Sequence, residues 1–313
     1  MGIRYLNSFL KKTCRESIRQ IHLRELAHKR IVIDVSIYLY HFEADGMLLD
    51  NMTEFLFVLN QYSIRPLFVF DGKPPAEKIN TICHRREQRQ IAATECVAIS
   101  TRMQDTAILD GDRQKLVAEY AKLRRSSVTI TRDKIESVKK LFDEQEVPYC
   151  TAPSEADALC ATMVLSKDFW GCMSDDMDML VYGCAHIIRD LNMHTHTAQL
   201  YVLPEILQEL NITYEDFKRV CVISGTDYNT HHQNHQKQLR PGTVTDKIVV
   251  RPIHPPPTNI TFYAAIKLFS RYRQNVKYPT MNFYGWLKHY IKFDIDYIAL
   301  DRVYNMFSVP IQP

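Results

Sequence analysis

Seven acidic residues, in five short stretches, carry the chemistry legible in this 313-residue chain. They are Asp34 in Ile31-Val-Ile-Asp34, Asp71 in Phe68-Val-Phe-Asp71, Glu155 and Asp157 in Ser154-Glu-Ala-Asp157, Asp176 and Asp178 in Ser174-Asp-Asp-Met-Asp178, and Asp227 in Gly225-Thr-Asp227. Four of the stretches follow or adjoin short apolar runs that read as buried strands. If those strands are parallel, their carboxyl ends gather the acids on the edge where open α/β sheets bind ligands. Like charges crowded into one crevice repel unless cations neutralise them. Hard divalent ions such as Mg²⁺ or Mn²⁺ accept such oxygen ligands. The pattern points to a two-metal centre for phosphodiester cleavage, in which two ions clamp the attacking and leaving oxygens.

Each stretch also has a local explanation. Ser154-x-x-Asp157 fits a capping box at a helix start. Asp176 and Asp178 would sit well in the first turn of a helix, where negative charge is favourable. Asp71-Gly72 and Asp227 are ordinary turn formers. These explanations do not account for Glu155, and together they require five independent coincidences. Asp175 falls outside the acidic pattern and reads as a surface or capping residue.

The elements that must position these acids follow from periodicity. Residues 31–34, 66–70, 147–150, 169–173, 186–189 and 199–202 read as strands. Apolar residues at 52, 55, 56, 59 and 62 give a helical stripe after Asp50, a candidate N-cap. This β-α-β rhythm implies parallel strands with right-handed crossovers. Residues 76–130 break it, being polar, basic and helix-prone. Thr131 then caps a helix carrying Ile135, Val138, Leu141 and Phe142. Thr213-x-x-Asp216 opens another, ending near Ser224. Residues 229–258 read as a variable loop, with Pro255-Pro-Pro257 and His231, His232 and His235 in a Gln- and Asn-rich setting. Those histidines lack a nearby carboxylate or cysteine partner and do not make a metal site. Helical patterns return at 262–272, 286–291 and 297–307.

Composition sets the outer bounds. Hydrophobic residues make up 46% and charged residues 24%, ordinary for a soluble globular chain. No apolar run approaches a bilayer span and the start has no signal-peptide core, so no membrane association is expected. Eight scattered cysteines form no Cys-x-x-Cys pair, which argues against a zinc site or disulfide framework and for a reduced, intracellular setting. The net charge of +3 is unevenly placed: residues 73–140 hold 15 Lys/Arg against 9 Asp/Glu, and residues 231–277 hold 8 against 1. Clustered positive charge beside an acidic centre is the footprint of phosphate-backbone binding.

Six motifs stand in order: Met1-Gly-Ile3, Asp34-Val-Ser36, Phe70-Asp-Gly-Lys-Pro-Pro75, Ala152-Pro-Ser-Glu-Ala-Asp157, Ser174-Asp-Asp-Met-Asp178 and Ser224-Gly-Thr-Asp-Tyr228. In this register the chain resembles the flap endonuclease branch of the structure-specific 5′ nucleases, which includes the xeroderma G nuclease, from residue 1 to about residue 228. The resemblance implies a PIN-like α/β fold with a mostly parallel central sheet flanked by helices. It further implies a nuclease core over 1–228, a helical arch over 76–130, and a helical C-terminal region over 259–313 packed on the core. Asp34, Asp71, Glu155 and Asp157 match the family's first-metal group, and Asp176, Asp178 and Asp227 the second, for two Mg²⁺ or Mn²⁺.

By the same resemblance Lys78 and Arg85 are gateway cations facing the scissile phosphate, seven residues apart on one helical face. Tyr40 would stack on a base beside the cut, and Gly2 would lie against substrate. The implied activity is divalent-metal-dependent flap endonuclease or 5′ exonuclease cleavage of branched or 5′-ended DNA, in replication, recombination or repair. A catalytically silent DNA-binding scaffold and a PIN-type ribonuclease are the alternatives. The family's Gly-rich hairpin after Gly-x-Asp-Tyr is replaced here by Asn229-Thr-His-His-Gln, so its monovalent-ion site is not carried over. A Gln-x-x-Leu-x-x-aromatic-aromatic tail is also missing, so no sliding-clamp docking is expected, and the chain is read as a monomer.

Overall fold

The computed structural model describes residues 3, 5–103, 110–229, 260–274, 281–292 and 296–308. Gly2, most of the 229–258 loop, and His231, His232 and His235 lie outside the described residues. The chain divides into two compact units. One comprises Arg19–Asp175 and Cys184–Val202, and the other is built from Met1–Ile18, Asp176–Gly183 and Leu203–Pro310.

The first unit is organised by a seven-stranded sheet. Its strands are β1 (Ile18–His22), β2 (Arg30–Asp34), β3 (Arg65–Phe70), β4 (Tyr149–Thr151), β5 (Gly171–Met173), β6 (His186–Asn192) and β7 (Thr197–Val202), in the spatial order β1-β7-β6-β5-β2-β3-β4. β2 pairs in parallel with both β3 and β5, β3 with β4, and β5 with β6. β6 and β7 form an antiparallel pair. Ile31, Val32 and Ile33 are fully buried, as a β-branched run must be when helices cover both faces of a parallel sheet. The chain builds outward from β2 through β3 to β4, then returns to the other side of β2 with β5 and β6. The order therefore reverses between β2 and β5, and the carboxyl end of such a switch point is where α/β sheets bind ligands.

Helices α2 (Val35–Ala44), α3 (Leu48–Gln61), α4 (Ile79–Met103), α5 (Asp110–Ser126), α6 (Arg132–Glu144) and α7 (Ala156–Leu165) complete this unit. The Thr131 hydroxyl caps α6 by accepting the Lys134 N–H at 3.4 Å. α3 begins earlier than its stripe indicated: Met47 occupies the N-cap, Asp50 lies in the first turn, and Leu48 and Met52 enter the core. The capping box offered as a local explanation of Ser154 and Asp157 is not formed, since Glu155 is the N-cap residue of α7. α4 and α5 pack on each other. Ala92, Ile99 and Leu116 are buried there, while Val97 and Val117 face outward.

An aromatic chain fills the space between β3 and its helices. Phe55 of α3 lies 4.7 Å from Tyr38, 6.1 Å from Phe42 and 5.9 Å from Phe68, centroid to centroid, and is fully buried. Truncating it removes a large buried ring and leaves a cavity that neighbouring rings cannot close. Phe55→Ala is therefore expected to lower stability by about 3–5 kcal/mol. Urea unfolding checks this, and a loss under about 1 kcal/mol would mean the ring is not part of a packed core.

The second unit is helical: α1 (Leu6–Thr13), α8 (Asp178–Val181), α9 (Leu203–Leu210), α10 (Tyr214–Ile223), α11 (Phe262–Gln274), α12 (Phe283–Trp286), a π turn at Leu287–Ile291, and α13 (Tyr297–Met306). α10 is its centre: Phe217, Val220, Cys221, Val222 and Ile223 are all fully buried. Thr213 caps it by accepting the Asp216 N–H at 3.2 Å. Lys218 is also buried. Its ammonium lies over the Tyr304 ring at 4.2 Å and donates to the Ser308 hydroxyl at 2.8 Å, tying α10 to the end of α13. Desolvation lowers its pKa from the ordinary lysine value.

Candidate metal-binding carboxylate site

The acids fall into two groups, one in each unit. In the sheet-bearing unit, Asp34 ends β2 and caps α2, its Oδ1 accepting the Ser36 N–H at 3.1 Å. Its Oδ2 accepts the Ser174 hydroxyl from beyond β5 at 3.2 Å, so the carboxylate bridges the two strands at the switch point. Asp71 follows β3. One of its oxygens takes the Ala156 N–H at 2.8 Å and the other the Ser36 hydroxyl at 2.5 Å. Ser36 thus links Asp34 and Asp71, with its amide on one and its hydroxyl on the other. Glu155 pairs with the Lys78 ammonium, and both side chains are largely buried. Asp157 stands two residues on, in the first turn of α7.

The negative charge of this group is felt locally. Burial first, then Asp175 and Asp34, push the fully buried Tyr38 hydroxyl well above its ordinary pKa. Asp175 itself has a structural role. Its carboxylate accepts the Asp190 N–H at 2.8 Å and its carbonyl accepts from Arg189 at 2.6 Å. It therefore secures the start of the acidic segment to the end of β6.

Gly72 shows why the Asp71 turn needs its glycine. Its N–H donates to the Ser154 carbonyl at 2.6 Å. A Cβ there would fall 1.9 Å from the Ala152 carbonyl oxygen and 2.9 Å from that of Ser154. Both obstacles are backbone, so Gly72→Ala must push the 152–155 segment away from Asp71. The expected cost is about 1–3 kcal/mol, as for an overpacked core. Equilibrium urea unfolding measures it, and an unchanged midpoint would contradict the close approach.

In the helical unit, Asp176, Asp178 and Asp227 each bring a carboxylate oxygen within 4.8 Å of the others. Asp176 and Asp178 are buried and Asp227 is half-buried. Asp176 orients the segment by accepting the Asp178 N–H at 3.0 Å. Tyr182, which closes α8, and Tyr228, next to Asp227, meet hydroxyl to hydroxyl at 3.1 Å. Both rings also pack on Phe307, at 4.8 and 5.4 Å. Burial, then the charge of Asp178, raises the Cys221 thiol well above its usual pKa. Three hard oxygen donors in so small a space suit Mg²⁺ or Mn²⁺, so the donor set fits the implied metal.

Of the remaining sequence candidates, Lys78 ends a 3₁₀ turn (Ala76–Lys78) that follows Pro74-Pro75, and α4 begins only at Ile79. The 3₁₀ turn runs directly into α4, which carries Arg85. Arg85 is half-buried on α4. Tyr40 carries the Arg89 guanidinium over its ring at 4.6 Å, while Tyr38 and Phe42 are the core aromatics of α2. Ser36 and Ser174 stand within the sequence motifs, but their contacts with Asp71 and Asp34, like that of Arg89 with Tyr40, are not legible there. Their signal is at most adjacency to acids or to a basic run, and their partners are distant in the chain. All eight cysteines are free.

A sheet switch point lined with carboxylates, together with a second acidic trio, defines an α/β protein with a candidate metal-binding site. The XPG N-terminal domain model matches residues 1–92 and the XPG I-region model residues 146–227. Flap endonuclease 1 of Enterocytozoon bieneusi is 32% identical over 246 residues, covering 73% of this chain and 65% of that protein. For flap endonuclease 1 of Encephalitozoon cuniculi the identity is 30%, over 73% of this chain and 68% of the relative. The chain therefore spans about two thirds of the length of these relatives. Among solved structures, the catalytic core of Rad2 in complex with DNA substrate has the same fold at a TM-score of 0.61, with 20% identity over 100% of this chain and 88% of that one. Flap endonuclease-1 from Methanococcus jannaschii gives a TM-score of 0.57 and 25% identity, over 94% and 82% of the two chains. The chain belongs to the flap endonuclease/XPG family. No helix among the described residues is long and apolar enough to cross a membrane.

Proposed function

We propose that the protein is a divalent-metal-dependent, structure-specific 5′ nuclease that hydrolyses phosphodiester bonds in branched or 5′-ended DNA. The observation that carries this reading is the trio of Asp176, Asp178 and Asp227, whose oxygens converge within 4.8 Å in a chain of this family. Asp176, Asp178 and Asp227 would hold one divalent ion, and Asp34, Asp71, Glu155 and Asp157 the other. Bound ions supply Lewis-acid stabilisation of the phosphoryl oxygens and a water of lowered pKa, so no protein general base is needed.

The protein's own groups do the rest. Ser36 and Ser174 hold Asp34 and Asp71 in fixed orientations, so the ligand geometry is set before substrate arrives. Lys78 and Arg85 stabilise charge developing on the transferred phosphoryl group, and Lys78 is meanwhile kept by Glu155. The basic residues of 73–140 attract the DNA backbone. Tyr40, with Arg89 on one face of its ring, offers the other face for stacking on an unpaired base. In this reading residues 1–228 carry the nuclease core with 76–130 as its arch. The protein acts as a monomer, in replication, recombination or repair inside the cell.

The test is a panel of end-labelled substrates with and without Mg²⁺: 5′ flap, nicked duplex, four-way junction and single-stranded RNA. Mg²⁺-dependent cutting of one or more DNA structures is expected. DNA binding with no cleavage would instead define a silent scaffold, and cleavage of RNA alone a PIN-type ribonuclease.

A further inference from the structure

Asn229 is a buried amide, 5% exposed, that takes no part in the carboxylate chemistry yet closes the turn on which Asp227 stands. The chain leaves α10 through Gly225 at a φ of +95°, a conformation that favours glycine. It then runs Thr226-Asp227-Tyr228 back toward the helix. The Asn229 side chain ties this turn together. Asn229 Oδ1 accepts the Thr226 N–H at 2.6 Å and the Thr226 hydroxyl at 2.9 Å. Asn229 Nδ2 donates to the Val222 carbonyl at 2.8 Å, in the last turn of α10. Its backbone N–H donates to the Thr226 carbonyl at 3.2 Å, and Thr226 Oγ accepts the Tyr228 N–H at 3.3 Å. Asp227 is thus bracketed on both sides by residues tied to one amide, and that amide is tied to the helix.

An amide is the group that suits this place. It presents an acceptor to Thr226 and a donor to the Val222 carbonyl from one rigid plane, where a carboxylate lacks the donor and an alkyl group lacks both. Among the described residues, the half-buried carboxylate of Asp227 on a short turn joins Asp176 and Asp178, and its oxygen must stay within a few tenths of an ångström of position to complete a coordination shell. We propose that Asn229 is a positioning residue for divalent-cation binding, fixing the Asp227 carboxylate against Asp176 and Asp178. This rests on the reading that the trio holds a cation.

The experiment is a Mn²⁺ titration of the DNA-free protein, followed by the electron paramagnetic resonance signal of free Mn²⁺, with thermal midpoints recorded alongside. Asp227→Asn identifies the binding that belongs to the trio. Asn229→Ala is expected to weaken that binding by about tenfold or more, the usual effect of removing a group that orients a ligand. Thr226→Val removes the hydroxyl that donates to Oδ1 and accepts the Tyr228 N–H, and keeps the Thr226 N–H bond to Oδ1, so it should weaken binding in the same direction as Asn229→Ala but by less. Ser17→Ala, which removes a hydroxyl contact to Glu209 elsewhere in the same unit, should lower the thermal midpoint and leave Mn²⁺ affinity unchanged.

Affinity unaltered in Asn229→Ala, or lowered equally in Ser17→Ala, would overturn the assignment. If Asn229→Ala does not fold, unaltered affinity in Thr226→Val does the same. A wild-type protein with no Mn²⁺ binding sensitive to Asp227→Asn would remove the metal reading itself, and this inference with it.

Discussion

Asp178→Asn should lower single-turnover cleavage of a 5′-flap duplex by about 10³-fold or more, while duplex affinity stays within about threefold of wild type. The substitution is isosteric, so packing at the start of α8 is kept, as is the backbone N–H that donates to Asp176. What is lost is one negative charge from a trio whose oxygens lie within 4.8 Å of one another. An amide oxygen is a far weaker ligand for a hard dication than a carboxylate, and removing even a group that only orients a ligand costs about 10–100-fold. Duplex affinity rests on Lys/Arg–phosphate contacts and counterion release, which the substitution does not touch. Asp34→Asn should act in the same direction through the other group. Its effect also includes a reversed link to Ser174, because an amide NH₂ donates to the hydroxyl oxygen where the carboxylate accepts the hydroxyl proton. Near-normal turnover in either variant at ordinary Mg²⁺ would contradict the metal assignment.

The second large effect is expected at Lys78. Lys78→Ala should reduce the single-turnover rate by about 10²–10³-fold, the range seen when one group aimed at developing charge is removed. Substrate affinity should fall much less, because the interaction is strongest in the transition state. The structure adds a second consequence. Lys78 and Glu155 are largely buried and paired, so truncation breaks a buried ion pair from one side, which destabilises more than the intact pair stabilises. A loss of stability should therefore accompany the loss of rate, and pairing the rate with a urea midpoint separates the two. Arg85→Ala, from its half-buried position on α4, should likewise lower the rate more than substrate affinity. Should rate and affinity fall in equal proportion in both variants, the two residues are ordinary phosphate contacts.

The strands that carry the acids were readable because they are buried on both faces. Runs such as Ile31-Val-Ile and Phe68-Val-Phe have few alternatives to a parallel sheet interior. The mostly parallel sheet and the placing of Asp34 and Asp71 at strand ends followed from that pattern. Helix starts were less readable. Asp50 and Ser154 are good N-cap residues by type, yet the caps fall at Met47 and Glu155. At Met47 the cap was set by burial of Leu48, and tertiary packing overrode the local hydrogen-bonding preference. β1 went unread because its exposed Arg19 and Gln20 interrupt the apolar pattern.

What sequence could not show was the support beneath the acids. Ser36 reaches Asp71 across 35 residues, Ser174 reaches Asp34 across 140, and the Tyr182–Tyr228 pair spans 46. No periodicity encodes such contacts, since they depend on which strand ends the topology makes neighbours. Asn229 was missed for a different reason. It opens a polar stretch that reads as loop throughout, and only the hydrogen bonds of its side chain separate it from the residues that follow.

The most direct test of metal-dependent nuclease activity is single-turnover cleavage of a 5′-end-labelled flap duplex, followed against Mg²⁺ concentration with wild-type protein and with an Asp176→Asn, Asp178→Asn double variant. The expected result is product from the wild type that rises and saturates with Mg²⁺, vanishes with EDTA, and is missing from the double variant although it still binds the duplex. Product that forms equally in EDTA, or equally from the double variant, would contradict the assignment of the carboxylates as the metal-binding centre of a nuclease.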